Sequence, residues 1–408
     1  VVLILPTGTY RAPDFVQAAA AIGAEVVVAS ERPQAMRRAM GDRALVVNLC
    51  DPAKAAAAIV ERAKRHPVDA VVAVDESGVV AAALAGAQLG LAHNPPEAVM
   101  ATRDKARLRA CLAAAGVPQP AYTVVGPGDD LAGAALALGL PVVVKPVALS
   151  ASRGVIRADD AAAAVAAGER VRSILAAADE DPNGPLLIER FVPGAEIAVE
   201  GLLRDGALEV LAFFDKPDPL DGPFFEETIY VTPSRHSAAT LGVARSVLQT
   251  AVAALGLREG PIHAELRVAD DSAWLLEVAA RSIGGLCSRA LRFGAGISLE
   301  ELVLRHALGL PTQGLQREAE ASGVMMIPIP ATGRLIAVSG AESASAVAGV
   351  VGLTITVPLG RTVEALPEGD RYLGFIYAKA GTPADVEAAL RQAHSRLDVR
   401  IDEGVPTG

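Results

Sequence analysis

Two carboxylates in residues 262–285, IHAELRVADDSAWLLEVAARSIGG, have the spacing of a cation site. Residues 262–268 and 274–280 alternate as strands, with Ala269–Ala273 a polar five-residue loop between them. Closed symmetrically, this hairpin pairs Val268 with Trp274 and sets Glu265 across from Glu277, with Cβ atoms about 4.5–5.5 Å apart. Carboxylates that close repel, and one keeps its proton unless a cation lies between them. Magnesium, which takes carboxylate and phosphate oxygens, suits that gap. His263 shares a face with Glu265, and Ala279 and Arg281 share one with Glu277. A cation and a guanidinium projecting together suit a phosphate and the acid that receives it. Gly284 and Gly285 let backbone approach a ligand. A charged hairpin facing water has the same alternation, and a one-residue bulge would break the pairing.

The second chemical stretch is VVVKPVALSASRGV, 142–155. Val142–Val144 read as a buried strand, and Lys145 at its end needs an anion. The loop Ser150–Gly154, with Ser152 at its centre, offers hydroxyls and backbone N–H groups that can close over phosphate oxygens. Bland roles stay open throughout. Lys105 could be a solvated helix residue, Lys145 could snorkel, Lys216 could be loop charge and Glu196 an exposed strand residue. His263 could be a hydrogen-bonded core histidine and Cys287 a small packing residue. Asp75-Glu76 follow a strand end, where open α/β sheets place ligands, though capping the next helix explains them as well.

These groups need elements to hold them. Residues 1–100 alternate short apolar runs (Val1–Leu5, Val26–Ala29, Leu45–Val47, Ala70–Val74) with Ala-rich helical stretches near 13–22, 52–65 and 77–89, which means βαβ units and a parallel sheet. Pro6-Thr7-Gly8-Thr9 is a β–α turn or a phosphate turn. In 101–120, Leu108, Leu112 and Ala115 share a helical face that ends at Gly116. Strands at Tyr122–Val125, Val142–Val144 and Leu186–Ile188 among helices indicate an α+β lid over about 120–190. Asp205-Gly206 is a type I′ turn between Ile197–Leu203 and Leu208–Phe214. Thr240–Leu255 is helical, and a smaller α+β domain is expected over 311–408, leaving 101–310 as the middle domain.

Composition narrows the class. The chain has 408 residues, 51% of them hydrophobic, and a formal net charge of −10, so a globular protein of two or three domains is expected, without nucleic-acid or membrane partners. Cys50, Cys111 and Cys287 form no CxxC pair, which disfavours disulfides and zinc. No unbroken apolar run is long enough for a bilayer, and VVLIL lacks the length and basic flank of a signal peptide. Cytoplasmic residence is the expectation, with the true N-terminus left open because residue 1 is Val. A homodimer is expected on general grounds.

In order, RDKARLRACLAAAGVPQP, LPVVVKPVALSASRGV, LLIERFVPGAEIAVEG and IHAELRV…WLLEVAARSIGG resemble the ATP-grasp superfamily of carboxylate–amine ligases. FFDKPDPLDGPFFEETIYVTPS, EVAARSIGG and the segment from GVMMIPIPATGRLIAVSG onward look most like the L-amino acid ligases, which join amino acids into dipeptides or related amides. The resemblance implies an ATP-grasp fold with an N-terminal parallel domain, and ATP with Mg2+ or Mn2+. It implies that Lys105 and Lys145 hold phosphates, Ser150–Gly154 closes over them, and Glu189, Arg190, Phe191 and Val192 form the adenine-reading hinge. Glu196 would hold the ribose, Lys216 would face phosphate, Glu265 and Glu277 would bind metal, and Arg281 would stabilise an acyl phosphate. His263, Glu227, Gly284 and Gly285 would meet the substrate acid, an amino acid, or the amine. Ala279 stands where the family often has asparagine, so one metal ligand is missing. The rivals are an ATP-grasp carboxylase that activates bicarbonate and a non-catalytic nucleotide-binding module.

Overall fold

A computed structural model describes residues 1–34 and 40–404. The N-terminal strands β1 (Val2–Ile4), β2 (Val27–Ser30), β3 (Ala44–Val46) and β4 (Val71–Ala73) form a parallel sheet in the order β3-β2-β1-β4. Its crossovers include the helices Ala12–Ala21 and Pro52–Arg65, and the helix Val79–Leu89 follows β4. Pro52 sits in the first turn of the second, where its missing N–H costs nothing, and Asp51 caps it by accepting from the Lys54 N–H.

The lid is a second sheet, β5 (Tyr122–Val125), β6 (Val142–Pro146), β7 (Ile156–Ala158) and β8 (Leu186–Arg190), antiparallel in the order β5-β8-β6-β7. The helices Leu131–Leu138 and Ala161–Ala177 are capped by Asp130 and Asp160. Val142 and Val144 pack with Ala164, Ala167 and Val171 of the longer helix. The preceding pair of helices is broken at Asp104, which ends Pro96–Arg103 and caps Lys105–Ala114. Leu108 and Leu112 are buried as expected, but Ala115 lies past the helix end and is exposed.

The third sheet is the frame of the molecule. It combines β9 (Ala195–Arg204), β10 (Ala207–Lys216), β11 (Ile229–Thr232), β12 (Gly260–Ala269), β13 (Ser272–Ala279), β14 (Ala321–Ile327), β16 (Val350–Ile355) and β18 (Gly374–Ala380), in the order β13-β12-β9-β10-β11-β14-β18-β16. Residues beyond 311 thus extend the same sheet through β11–β14, while β15 (Gly333–Ser339), β17 (Thr362–Val363) and β19 (Asp398–Asp402) make a small sheet of their own. Asp205 and Gly206 both have positive φ (48° and 82°), as a type I′ turn requires. The helix Ala238–Leu255 is long and apolar enough to cross a membrane by length and composition. Here its Val247, Leu248, Ala251 and Val252 pack on Ile262, Leu266 and Leu275 of the sheet. Each leucine or valine so buried stabilises by roughly 1.5–3 kcal/mol.

The hairpin β12–β13 departs from expectation in a way that preserves its chemistry. Its turn is two residues, Asp270-Asp271, with Ala269 paired to Ser272, because Asp270 accepts a left-handed conformation (φ 49°). That moves the pairing by one, so Val268 faces Ala273 and Trp274 faces Arg267. A bulge between Leu266 and Glu265 then takes up Leu276, and Glu265 returns to its place opposite Glu277. The bulge restores the pairing that it was expected to break.

Candidate active site

The lid and the frame enclose a cavity of about 690 Å³. Of the residues singled out from sequence, Lys105, Lys145, Ser150, Ser152 and Glu189–Val192 line it from the lid side. Glu196, Glu227, His263, Glu265, Glu277, Arg281, Gly284 and Gly285 line it from the frame. Lys216 and Gly154 do not line the cavity: Lys216 contacts Glu265, which does, and the Gly154 N–H donates to the Pro367 carbonyl outside it.

On the lid side, β6 delivers Lys145 and the neighbouring β8 delivers Glu189. The Lys145 Nζ lies 2.6 Å from one Glu189 oxygen, and Arg109 Nε lies 2.6 Å from the other. Burial would raise the Glu189 carboxyl, yet the two cations bring it down to about 2. Burial lowers Lys145, with Glu189 opposing. Arg109 is itself fully buried and donates to the carbonyls of Leu275 (3.2 Å) and Leu276 (2.6 Å) on β13. The Glu189 side chain is therefore committed to an internal ion pair, and only its backbone is left for a hinge. Lys105 donates to the Leu149 carbonyl at 2.5 Å and lies 3.8 Å from Glu277.

The frame side is built around Lys216. Its ammonium contacts Glu196 (2.7 Å), Glu227 and Glu265 (3.2 Å). Burial opposes its charge, but these carboxylates raise it well above the ordinary lysine value. Glu265 is brought down to about 2 against burial by Lys216 and His263. Burial and the Glu265 charge raise Glu227, whose second oxygen accepts from the Tyr230 hydroxyl at 2.8 Å. Glu196 also pairs with Arg267 at 3.1 Å. Glu196, Glu227 and Glu265 present oxygens within 4.8 Å of one another, so the carboxylate grouping extends beyond the Glu265–Glu277 pair. His263 is neither a free ligand nor a bland core residue. Its Nδ1 lies 2.5 Å from Glu200, its Nε2 3.5 Å from Glu265, and despite burial these partners raise it to about 9.

Arg281 projects into the cavity with Glu76 at 2.5 Å. Glu76 also meets Arg103 at 3.3 Å, and Asp75 makes no capping hydrogen bond, so this pair faces the cavity instead of capping a helix. Pro6, Gly8 and Thr9 line the same end. Arg235 pairs with Asp215 and Glu387 at 2.9 Å each, away from the cavity. Cys287 is buried at the cavity wall, and burial pushes its thiol up, which suits packing and not nucleophilic attack.

Arg109, Glu200, Arg267 and Tyr230 were not anticipated. Glu200 is fully buried; besides His263 it accepts from the Ile283 N–H at 3.1 Å and so fixes the loop after Arg281. A glutamate within the apolar run IAVEGLL was the one available signal. The donor set fits a divalent cation carrying polyphosphate: partly buried carboxylates Glu265 and Glu277, paired across adjacent strands, with Lys105 3.8 Å from Glu277 and Lys145 on the lid wall.

Residues 138–290 match the ATP-grasp domain family, residues 16–93 the ATP-grasp N-terminal domain, and residues 325–402 the L-amino acid ligase C-terminal domain 2. The chain is 27% identical over 266 residues to the alanine–anticapsin ligase of Bacillus subtilis, a match that covers 60% of this chain and 55% of the relative's length. It is 29% identical over 345 residues to the formate-dependent phosphoribosylglycinamide formyltransferase of Paraburkholderia xenovorans (strain LB400), covering 80% and 79% of the two chains. The crystal structure of an L-amino acid ligase from Bacillus licheniformis superposes with a TM-score of 0.80 at 25% identity over 98% of each chain. The chain belongs to the ATP-grasp ligase family and is L-amino acid ligase-like in its domains.

Proposed function

We propose that the protein is an ADP-forming carboxylate–amine ligase that activates an amino acid as its acyl phosphate and couples it to an amine. The observation that carries this is one cavity with lysines on its lid wall and the Glu265–Glu277 pair and Arg281 on its frame wall. Lys105 and Lys145 would meet the ATP phosphates, with Ser150–Gly154 closing over them. Phe191 and Val192 would pack on the adenine, and Glu196 would meet the ribose. Glu265 and Glu277 would hold Mg2+ or Mn2+, which neutralises phosphate charge when bound. Lys216 holds the carboxylates of Glu196, Glu227 and Glu265 together by direct contact.

The reaction requires that a carboxylate oxygen of the acid attack the γ-phosphorus, with ADP leaving. Such transfer depends on positioning and charge neutralisation. Arg281 orients the acid and stabilises negative charge on its carbonyl oxygen when the amine attacks and phosphate departs. His263, two residues before Glu265 on β12, and Glu227, which shares Lys216 with Glu265, would face the substrate acid. Gly284 leaves open space beside Arg281, with only its Nη1 within 4 Å of an added Cβ, while Gly285 lets the turn pack against Phe375, which an added Cβ would approach to 2.9 Å.

The test is phosphate release over pairs of amino acids, with mass spectrometry of products. A dipeptide or related amide formed with one ADP per bond is the expected result. A second reading uses a one-carbon acid, formate or bicarbonate. The formyltransferase match favours it by covering more of the chain than the alanine–anticapsin ligase match. ADP release that needs formate or bicarbonate, and no amino acid, selects that reading. ATP binding without turnover on any acid selects a binding module.

A further inference from the structure

The loop Ser150–Gly154 carries strain that its own sequence does not explain. Ala151 and Ser152 both have positive φ (58° and 55°), and so does Gly154 (70°). For the two non-glycine residues this conformation costs on the order of 1 kcal/mol each, and it persists where surrounding contacts over-determine it. The contacts come from far along the chain. The Gly154 N–H donates to the Pro367 carbonyl at 2.9 Å, and Arg153 Nε donates to the Glu368 carbonyl at 2.8 Å. The Glu368 carboxylate is held bidentately by Arg170 of the lid helix Ala161–Ala177, at 2.7 and 3.0 Å. Arg170 also covers the Phe224 ring at 5.0 Å, and Phe224 bridges to Ile156, two residues beyond the loop.

The anchoring turn is itself rigid. The Gly369 N–H donates to the Ala365 carbonyl at 2.9 Å, and the Ala365 N–H donates to Thr332 at 3.0 Å. A Cβ at Gly369 would fall 2.1 Å from the Glu364 carbonyl, so the turn requires glycine. The following residues, Asp370–Tyr372, line the cavity at its frame side.

We propose that Glu368 is a positioning residue for the phosphate loop: with Arg170 it latches the turn Ala365–Gly369 onto the lid and holds Ser150–Gly154 in its strained conformation. Its value for nucleotide binding rests on the reading of that loop as the ATP-phosphate loop. The C-terminal segment, on this account, completes the nucleotide site without touching nucleotide. Both partners of the ion pair are about half exposed, so the latch is of modest strength and can open to admit or release a ligand.

The experiment compares the full-length protein with Glu368→Arg, Arg170→Glu and the charge-swapped double variant. Hydrogen exchange at residues 147–155 is measured without nucleotide, and ATP affinity is measured calorimetrically with Mg2+. Each single variant should speed exchange in the loop and weaken ATP about fivefold, the equivalent of ~1 kcal/mol for a bidentate surface pair, and the swap should restore both. Unchanged loop exchange in the single variants, or failure of the swap to restore it, overturns the latch. Faster exchange with unchanged ATP affinity keeps the loop contact but overturns its role in nucleotide binding. Failure of the ligase reading would show separately, as absent acid-dependent ADP release by the unmodified protein.

Discussion

The two walls of the cavity solve opposite electrostatic problems. On the lid, two cations, Lys145 and Arg109, enclose one carboxylate, Glu189. On the frame, one ammonium, Lys216, is enclosed by Glu196, Glu227 and Glu265. The first cluster has positive charge to spare and faces the loop Ser150–Gly154. The second has negative charge to spare and lies beside Glu277. A nucleotide phosphate chain and its metal need both, in that arrangement. Neither excess would be stable alone in a buried site, and each is held by a partner of the other sign.

The comparison breaks most sharply at Arg281, which belongs to neither cluster. Arg281→Ala should lower amide formation by about 10²–10³-fold while ATP affinity stays within twofold, since a transition-state donor is lost and a phosphate ligand is not. Steady-state phosphate release and ATP calorimetry check it; equal losses in both would move Arg281 into the nucleotide site. Glu189→Ala comes next. It leaves Lys145 and Arg109 buried without their shared anion, and destabilisation of about 3–5 kcal/mol is expected in urea unfolding at neutral pH.

The walls should also separate by pH. Glu189 and Glu265 are both held near 2, so the stability they contribute is present above the ordinary carboxylate range and is lost as pH falls towards 2. His263 is raised from 6.5 to about 9, so its contribution is complete below 6.5 and disappears as pH rises through about 9. The alkaline loss therefore belongs to the frame alone, and is on the order of 3 kcal/mol at most. Unfolding free energies between pH 6 and 10 should fall in the native protein and fall less steeply in His263→Gln, where the raised Cys287 thiol still contributes above about 9. An identical slope in both would remove His263 from the linkage. The smallest effect is expected at Arg235→Ala, a half-exposed guanidinium outside both walls whose buried partner Asp215 keeps hydrogen bonds from the Ser234 hydroxyl and the residue 235 N–H: about 1 kcal/mol in stability, with KM for ATP and acid unchanged.

What the sequence made legible followed local rules. The parallel N-terminal sheet could be read because β-branched runs and alanine-rich helices alternate, and the Asp205-Gly206 hairpin because few residue pairs accept two positive φ angles. Glu265 opposite Glu277 was readable as a pairing but for an incomplete reason, since turn length and bulge shifted register in compensating directions. The partners were hidden because they are distant in sequence: Arg109 and Glu189 are 80 residues apart, His263 and Glu200 are 63 apart, and Glu368, which anchors the loop Ser150–Gly154, is 215 residues from Arg153. Buried charges reveal their partners only when strands from separate segments are laid side by side. The residues from Asp75-Glu76 were weighed as a cap because capping is local, whereas their contact with Arg281 depends on docking the N-terminal sheet against the frame.

The bulge at Leu276 has a consequence for how this protein can vary. It sits where Arg109 takes two carbonyls of β13, so the irregular residue serves the lid and the frame together. Excising that single residue would regularise the ladder with Glu277 still opposite Glu265, and would take from the Arg109 guanidinium one of its two carbonyl acceptors on β13. Substituting its side chain would do none of these. Because Leu276 also lines the cavity, exchanging its side chain changes the cavity wall while the backbone acceptor that Arg109 uses stays in place.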